Sequence, residues 1–193
     1  MFSKPPKNKL VSDEELMIRM VNHSDHEALA ELYVRYSIRV FHFLIKLLNG
    51  DRQRSQDFLQ DIFIVVFEKK HLFNPDKKFY SWLFTIANNK CLNWFRDNKM
   101  VDLGSTFDKI ELQTNPSLSL ENKELKKELR LAIHALAYPQ KVVFILRHIE
   151  QFSLAEIATI TDTSIGTVKS RLYYATQNMA VKMKVHYQEN EVK

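Results

Sequence analysis

A stretch near the end of the chain combines cations, hydroxyls and flat aromatic rings, and it contains no acid. Between residues 163 and 188 there is no Asp or Glu, while four cations are present: Lys169, Arg171, Lys182 and Lys184. Side chains of these types can donate hydrogen bonds to phosphate oxygens and to the edges of bases. An acid-free basic segment attracts polyanions and repels most other partners. The stretch therefore predicts contact with nucleic acid.

Two short helices joined by a tight turn must position these side chains. Ser153 followed by Glu156 forms a capping-box pattern, so a helix is predicted to start at Ser153. The pattern breaks around Asp162, and a second helix follows. Its apolar residues recur at helical spacing and are Ile165, Val168 and Leu172. Its opposite face carries Thr167, Lys169, Ser170, Tyr173 and Tyr174. This pattern is typical of a helix-turn-helix that reads DNA.

The start of the second helix carries signals of its own. Thr163 and Ser164 offer hydroxyl oxygens that can accept hydrogen bonds from its free amides. Gly166 is unusual there, because glycine costs roughly 1 kcal/mol relative to alanine in a helix. Close approach of the helix N-terminus to a phosphate would explain that glycine. The alternative for this segment alone is a capped helical hairpin with a solvated basic face.

A second group of residues mixes aromatic rings with cations and amides in the middle of the chain. Its rings are Phe73, Phe79, Tyr80, Trp82, Phe84, Trp94 and Phe95. The polar residues among and beside them are Lys77, Lys78, Asn88, Asn89, Lys90, Asn93 and Arg96. Such a mixture predicts a platform for unstacked bases beside a phosphate track, with stacking worth about 1 to 3 kcal/mol per base. The alternative is that the rings pack inside a helical domain.

Composition limits the architecture and the compartment. The chain has 193 residues, 45% of them apolar, and a net charge of +5, which allows real cores and favours an anionic partner. Only three glycines are present, and apolar residues are spaced by three and four, so an all-α fold is predicted. The single cysteine, Cys91, excludes an internal disulfide and is expected in the core. Because no run approaches ~20 apolar residues and no signal-peptide pattern is present, we expect a soluble cytoplasmic protein.

Helix starts and stops divide the chain into two small helical domains. Capping-box patterns begin at Ser12 and at Ser24, the latter with Glu27, and Asn49 followed by glycine predicts a helix stop. The predicted helices ahead of the helix-turn-helix cover residues 12–22, 25–48, 52–71, 79–98, 121–137 and 139–150. Residues 99–119 lack periodicity and are predicted to form a flexible linker between domains at 10–98 and 120–187.

Three motifs in this order resemble bacterial RNA polymerase sigma factors of the sigma-70 family. The resemblance is to the extracytoplasmic-function (ECF) group, which keeps only regions 2 and 4. DFLQDIFIVVF (residues 57–67) is similar to the family's polymerase-docking helix, and FYSWLFTIANNKCLNWFR (79–96) to its promoter-melting and −10-reading helix. FILRHIEQFSLAEIA followed by SIGTVKSRL is similar to its −35-reading module. The resemblance covers nearly the whole chain, with 10–98 as region 2 and 120–187 as region 4.

The resemblance implies three sets of functional residues. Those expected to face the clamp coiled coil of the polymerase are Asp57, Gln60, Asp61, Phe63 and Phe67. Those expected at the −10 strand and in its melting are Phe73, Lys77, Phe79, Tyr80, Trp82, Asn89, Asn93 and Arg96. Those expected at the −35 duplex are Gly166, Thr167, Lys169, Ser170, Arg171, Tyr173 and Tyr174. Within these sets, Phe73 would help to capture a flipped base, and the two asparagines would hold the −10 element.

The function implied by the resemblance is that of a sigma factor. It would bind core RNA polymerase, direct it to promoters through the −35 and −10 elements, and promote melting of the DNA. Catalysis would belong to the polymerase, so no enzyme activity, cofactor, metal or small-molecule substrate is expected of this chain. Its partners would be core RNA polymerase, promoter DNA as a −35 duplex and a −10 single strand, and an anti-sigma factor.

Two other functions compete with this one. A helix-turn-helix regulator of the response-regulator output type has a similar TVK segment and would bind a duplex operator. It leaves residues 57–67 and the aromatic platform unexplained. A metalloenzyme could use Glu68 and His71 as half of a di-iron motif, or His23 and His26 as part of a zinc site. The chain has no second Glu-x-x-His and only one cysteine, so neither ligand set is complete.

Overall fold

The computed structural model describes the backbone of residues 11–98 and 120–191, and the side chains of residues 11–98 and 125–183. The described residues are helical throughout and contain no strand, so the predicted all-α fold is confirmed. The helices are α1 (Asp13–His23), α2 (His26–Leu47), α3 (Arg52–Glu68), α4 (Phe79–Asp97), α5 (Leu120–His134), α6 (Tyr138–Phe144), α7 (Leu154–Thr161) and α8 (Ile165–Glu191). The predicted linker, residues 99–119, lies outside the described residues.

The first two helices meet at a turn that differs from the prediction. Ser12 caps α1, with its Oγ accepting from the Glu15 amide (3.1 Å). Ser24 does not cap α2, because it adopts the left-handed conformation (φ 50°) that ends α1. Asp25 caps α2 instead, and its carboxylate accepts from the amides of Glu27 (2.9 Å) and Ala28 (3.0 Å). The predicted capping box at Ser24 is therefore wrong, since a carboxylate one residue later is the better acceptor.

Two predicted helices end earlier than expected. The α-helix predicted for 52–71 ends at Glu68, and a 3-10 turn, Lys70–Leu72, follows it. The helix predicted for 139–150 becomes a π-helical turn at Ile145–Ile149, where the Glu150 amide bonds to the Ile145 carbonyl (3.0 Å). A π turn is rare and often marks a functional position. Here it directly precedes Glu150, which is buried against α2.

Aromatic side chains join the two helical domains. Phe152, in the loop before α7, is 1% exposed and lies against Phe84 (5.0 Å between ring centroids) and Tyr80 (5.2 Å) of α4. The guanidinium of Arg39 in α2 lies 5.7 Å from the centre of the Phe152 ring. The domains are therefore in direct contact, with α4 packed against α7 and the loop before it.

Polar contacts accompany these rings at the interface. The Asn88 side chain of α4 donates to the Ile160 carbonyl of α7 (3.3 Å), and Asn88 Oδ1 accepts from the Tyr138 hydroxyl of α6 (2.9 Å). Arg39 binds the Glu150 carboxylate (2.7 Å) and also donates to the Glu150 carbonyl (2.6 Å). Asn88 and Glu150 are 3% and 6% exposed, so their polar atoms depend on partners from the other domain.

Candidate DNA and polymerase interfaces

The predicted helix-turn-helix forms, with α7 as its first helix and α8 as its second. Ser153 Oγ accepts from the Glu156 amide (3.2 Å) and the Glu156 carboxylate accepts from the Ser153 amide (2.8 Å), so the capping box is confirmed. Asp162 ends α7 in the left-handed conformation (φ 50°), which lets the chain turn sharply. Ser164 Oγ then accepts from the Thr167 amide (3.1 Å) and caps α8.

The first half of α8 carries the residues predicted for the −35 duplex. Gly166, Lys169, Ser170, Tyr173 and Tyr174 are exposed, and Thr167 and Arg171 are half-buried. Val168 is fully buried beneath them. Ile165 was predicted to face inward, but it is 44% exposed, because it borders an open groove beside Ala158 of α7. One face of α8 thus offers a cation, hydroxyls and two phenol rings, a set suited to base edges and phosphates.

No packing contact with the described residues requires a glycine at position 166. A Cβ added to it would meet only Ser164 Oγ, at the ordinary contact distance of 3.7 Å. The glycine nevertheless weakens the helix by about 0.5 to 1 kcal/mol. A close approach from outside the chain, such as a phosphate at the helix N-terminus, is a physical reason for keeping it.

We therefore predict opposite effects of Gly166→Ala on stability and on DNA binding. The free energy of unfolding, measured in urea, should rise by about 0.5 to 1 kcal/mol, because alanine restricts the unfolded chain and favours the helix. Affinity for a promoter fragment should fall, because the new methyl group keeps a phosphate away from the helix end. A more stable variant with full affinity would show that no phosphate approaches Gly166.

Two of the rings predicted to meet the −10 strand belong to the core. Phe79 is fully buried and Phe73 is 8% exposed. Their centroids lie 6.2 Å apart, and both rings contact Trp82, at 5.4 Å from Phe73 and 6.3 Å from Phe79. Phe73 and Phe79 are therefore packed inside the first domain, as the alternative reading of the rings expected, and a contact of either ring with the −10 strand stays a prediction. Trp82 is half-buried.

The polar residues predicted for the −10 element lie at the surface. Those that are exposed are Lys77, Asn89, Asn93 and Arg96, with the two asparagines one turn apart on α4. Tyr80 is different, because it is half-buried and its hydroxyl donates to the Glu156 carboxylate of α7. That hydrogen bond raises the pKa of Tyr80. Tyr80 thus faces the other domain, so its predicted contact with the −10 strand would require the domains to separate.

Part of the predicted polymerase-binding set lines a groove between α2 and α3. Asp57 and Gln60 are exposed along this groove, which has a volume of about 550 Å³. Its other wall is α2, where Ile38 is 70% exposed and the nearby Val34 is 72% exposed. The sequence reasoning missed these two residues, although they occupy the face of α2 opposite its buried stripe. Large apolar residues at such positions are typical of protein interfaces.

The other predicted polymerase-binding residues are held by contacts within the first domain. Asp61 is half-buried and pairs with Lys90 of α4 (2.6 Å). Phe63 is 5% exposed and meets Tyr33 of α2 edge-on (4.8 Å), so its ring supports the groove from below. Phe67 is half-buried.

Metal-ligating side chains do not gather within residues 11–98 and 125–183. No group of three or more His, Cys, Asp or Glu side chains there could hold an ion. Cys91 is fully buried, as predicted, and burial raises the pKa of its thiol to about 12. Among the described helices, none is long and apolar enough to span a bilayer.

Comparison with known proteins identifies both halves of the chain. The family model described as Sigma-70 region 2 matches residues 32–100, and the one described as Sigma-70, region 4 matches residues 126–179. The two matches together cover well over half of the chain. The chain is also 27% identical over 176 residues to the ECF RNA polymerase sigma-E factor of Escherichia coli (strain K12), covering 85% of this chain and 91% of that protein. Identity to the Haemophilus influenzae sigma-E factor is 27% over 178 residues, covering 85% and 92%.

Solved structures share the fold. One is CnrH in complex with the cytosolic domain of CnrY, with a TM-score of 0.67 and 20% identity over 90% of this chain and 97% of that one. Another is the sigma factor RpoE in complex with the anti-sigma factor NepR from Bartonella quintana, with a TM-score of 0.66 and 23% identity over 81% and 96%. Nothing in these matches supports a duplex-operator regulator. With both regions present in the family's order, the chain belongs to the sigma-70 family of RNA polymerase sigma factors, in its ECF group.

Proposed function

We propose that α8 of this sigma factor reads a −35 duplex and that α4 holds the melted −10 strand while α3 is docked on core RNA polymerase. The observation that supports this most directly is the exposed face of α8, where Lys169, Ser170, Tyr173 and Tyr174 lie together. A helix of this kind can enter the major groove, and hydroxyls and a lysine can contact base edges there.

The −10 contacts use a different physical principle. Asn89 and Asn93 present amide donors and acceptors from one face of α4, and Lys77 and Arg96 supply positive charge near its two ends. Bases released from stacking can bind such a surface, so binding free energy favours the melted state over the duplex. Trp82 and, after domain separation, Tyr80 would add stacking surface.

The two DNA contacts require the domains to separate. The elements lie ~25 base pairs apart, which is ~85 Å of B-DNA at ~3.4 Å per base pair. In the structure Tyr80 and Asn88 of α4 contact α7, and Phe152 in the loop before α7 packs on α4, while only a short turn separates α7 from α8. A chain in this closed arrangement cannot bridge that distance, so holoenzyme formation must open it.

The partners of the protein follow from these surfaces and from its relatives. Core RNA polymerase would occupy the groove beside Asp57, Gln60 and Ile38, where carboxylates can meet basic side chains around an apolar strip. An anti-sigma factor is a second expected partner, because the similar RpoE of Bartonella quintana is seen in complex with the anti-sigma factor NepR. The protein would act in the cytoplasm, with no catalytic step of its own.

Lys169→Ala tests the −35 assignment. Promoters that the wild-type holoenzyme initiates from are first identified by sequencing the DNA that it retains. If Lys169 contacts a base, the substitution should cost about 1 to 3 kcal/mol of binding and relax the preference at one −35 position. If it contacts only phosphate, affinity should fall uniformly across −35 variants.

The matched control is Lys182→Ala, which removes the same charge from an exposed position further along α8. Lys182→Ala should leave the base preference at every position of the −35 element unchanged. Unchanged binding and transcription from all −35 variants with Lys169→Ala would refute the assignment. Failure of the wild-type protein and core polymerase to initiate at any genomic promoter would refute the proposed function as a whole.

A further inference from the structure

Helix α4 begins without a capping side chain of its own. Lys78 occupies the N-cap position, and its side chain makes no capping hydrogen bond. The amide of Phe79 instead donates to the Oε1 atom of Glu14, at 3.2 Å. Glu14 belongs to α1, so the cap of the −10-reading helix comes from a residue 65 positions earlier in the chain.

Helix α1 holds Glu14 in place through several contacts with α2. The neighbouring Asp13 accepts hydrogen bonds from Arg35 (2.6 Å) and from the Tyr36 hydroxyl. Arg35 also donates to the Val11 carbonyl (2.9 Å). The buried side chains that anchor α1 to the core are Leu16, Met17 and Met20. The carboxylate of Glu14 is therefore presented to α4 by a fixed element.

The residue whose amide Glu14 caps is also central to the packing around the start of α4. The Tyr36 ring meets the fully buried Phe79 ring edge-on (5.4 Å), and Phe79 in turn contacts Phe73 and Trp82. A carboxylate at a helix N-terminus satisfies a free amide and interacts favourably with the helix dipole. The loop that leads into α4 carries the exposed Lys77, so Glu14 fixes both the helix start and the end of that loop.

We propose that Glu14 is a positioning residue for recognition of the −10 strand. It does not touch DNA in this assignment. It fixes the first turn of α4, and through that turn the register of Lys77, Trp82 and Asn89 along the strand. This inference rests on the proposed function of α4. The residue lies before residues 32–100, the part of the chain that matches the region 2 family model.

Three variants separate positioning from other effects. Glu14→Ala removes the acceptor, whereas Glu14→Gln keeps an amide oxygen that can accept from Phe79. Glu15→Ala is the matched control, because it removes the same charge from the neighbouring, exposed position on α1. Holoenzymes made with each variant are compared for affinity to a single-stranded oligonucleotide carrying the −10 element of a promoter that the wild type uses. Strand opening on that promoter is followed by 2-aminopurine fluorescence.

Glu14→Ala should weaken oligonucleotide binding and strand opening by about fivefold, the factor that corresponds to the ~1 kcal/mol of helix stability typically lost with a cap. Glu14→Gln should restore most of the loss, and Glu15→Ala should match the wild type. Affinity for core polymerase and for a −35 duplex should not change in any of the three. In the free proteins, hydrogen exchange of the Phe79 amide should speed up only in Glu14→Ala.

Three results would overturn the assignment. The first is equal oligonucleotide affinity of Glu14→Ala and Glu15→Ala, and the second is an unchanged exchange rate at Phe79. The third is a loss of oligonucleotide affinity in Glu14→Ala that is accompanied by an equal loss of affinity for core polymerase. Asn89→Ala distinguishes this failure from failure of the proposed function. If Asn89→Ala weakens −10 binding and Glu14→Ala does not, only the positioning role fails; if neither does, α4 does not hold the strand and both fail.

Discussion

Replacing Phe152 with alanine is expected to separate the two helical domains while each remains folded. The ring is 1% exposed, and the ring contacts that it makes come from Tyr80, Phe84 and Arg39, all of the first domain. Truncating a buried phenylalanine costs about 3 to 5 kcal/mol. At 1.4 kcal/mol per factor of ten, the ratio of closed to open chains should fall by roughly 100- to 4000-fold.

Other contacts also cross the interface, among them the ring pair of Phe95 in α4 and Tyr138 in α6 (5.0 Å between centroids) and several hydrogen bonds. The hydrogen bond of Asn88 to the Ile160 carbonyl contributes about 0.5 to 1.5 kcal/mol net, and that of Tyr80 to the Glu156 carboxylate about 1.5 to 3 kcal/mol. The cluster around Phe152 is thus one of the apolar connections between the domains, and its central ring comes from the second domain. Small-angle X-ray scattering of the free protein measures the change as an increase in the radius of gyration, and circular dichroism reports whether the helices remain.

Phe58→Ala is the matched control for the aromatic truncation. Phe58 is 8% exposed in α3, and the ammonium of Lys90 in α4, which belongs to the same domain, lies 5.0 Å from the centre of its ring. This variant should lose stability without an increase in the radius of gyration below its unfolding transition. A Phe152→Ala protein that keeps the wild-type radius would show that the other contacts hold the domains together without this ring.

Opening should also change what the free protein binds. The Tyr80 hydroxyl is held by Glu156 in the closed state, so Phe152→Ala releases a ring that is predicted to meet the −10 strand. Since the closed state withholds this ring, the variant should bind a single-stranded −10 oligonucleotide more tightly than the wild type does in the absence of polymerase. The effect should vanish in the holoenzyme if polymerase has already opened the chain.

Local signals made the helix-turn-helix predictable from sequence. The capping box depends only on Ser153 and Glu156, three residues apart, and the turn depends on the tolerance of Asp162 for a left-handed backbone. Val168 is buried where the helical spacing placed it. Interactions within a few residues are largely independent of the remaining fold, so pattern reasoning identifies them well.

Contacts between distant segments were not predictable in the same way. Phe79 looked like a surface ring because of its lysine neighbours, but α1 and α2 cover it through Glu14 and Tyr36. Tyr80 was expected at DNA, and its hydroxyl meets Glu156, 76 positions away. One sequence gives no direct signal for such pairs, since each depends on how helices from separate parts of the chain pack.

The choice between adjacent capping residues was also decided by tertiary structure. Ser24 and Asp25 can both cap a helix, and the pattern with Glu27 favoured the serine. Arg19 of α1 binds the Asp25 carboxylate (2.6 Å), which fixes it beside the first amides of α2. Those amides and that guanidinium lower the pKa of Asp25. A charged partner from the preceding helix thus overrides a local pattern of similar strength.

Lys141→Met is expected to stabilise the folded protein by on the order of 2 to 3 kcal/mol at pH 7. Lys141 in α6 is 4% exposed, and its Nζ atom donates to Asn49 Oδ1 (2.6 Å), with no ion pair among the described residues. Burial lowers the pKa of this lysine from 10.5 to about 8. The folded state therefore holds a poorly solvated charge at neutral pH, and methionine fills a similar volume without one. Asn49 is exposed, so water can replace the lost donor.

The pH dependence of the gain in stability distinguishes removal of a buried charge from improved packing as its cause. Between about pH 8 and pH 10.5 the unfolded chain binds more protons at Lys141 than the folded chain, so wild-type stability gains from this lysine as pH rises. The advantage of the variant should then shrink across that window in urea unfolding. The opposing contribution of Cys91, whose raised pKa lowers stability above about pH 9, is common to both proteins and cancels in the difference.

Lys127→Met, at an exposed position of α5, should change stability by less than about 0.5 kcal/mol at any pH. An advantage of Lys141→Met that stays constant from pH 7 to pH 10 would attribute the gain to packing and contradict a buried charge.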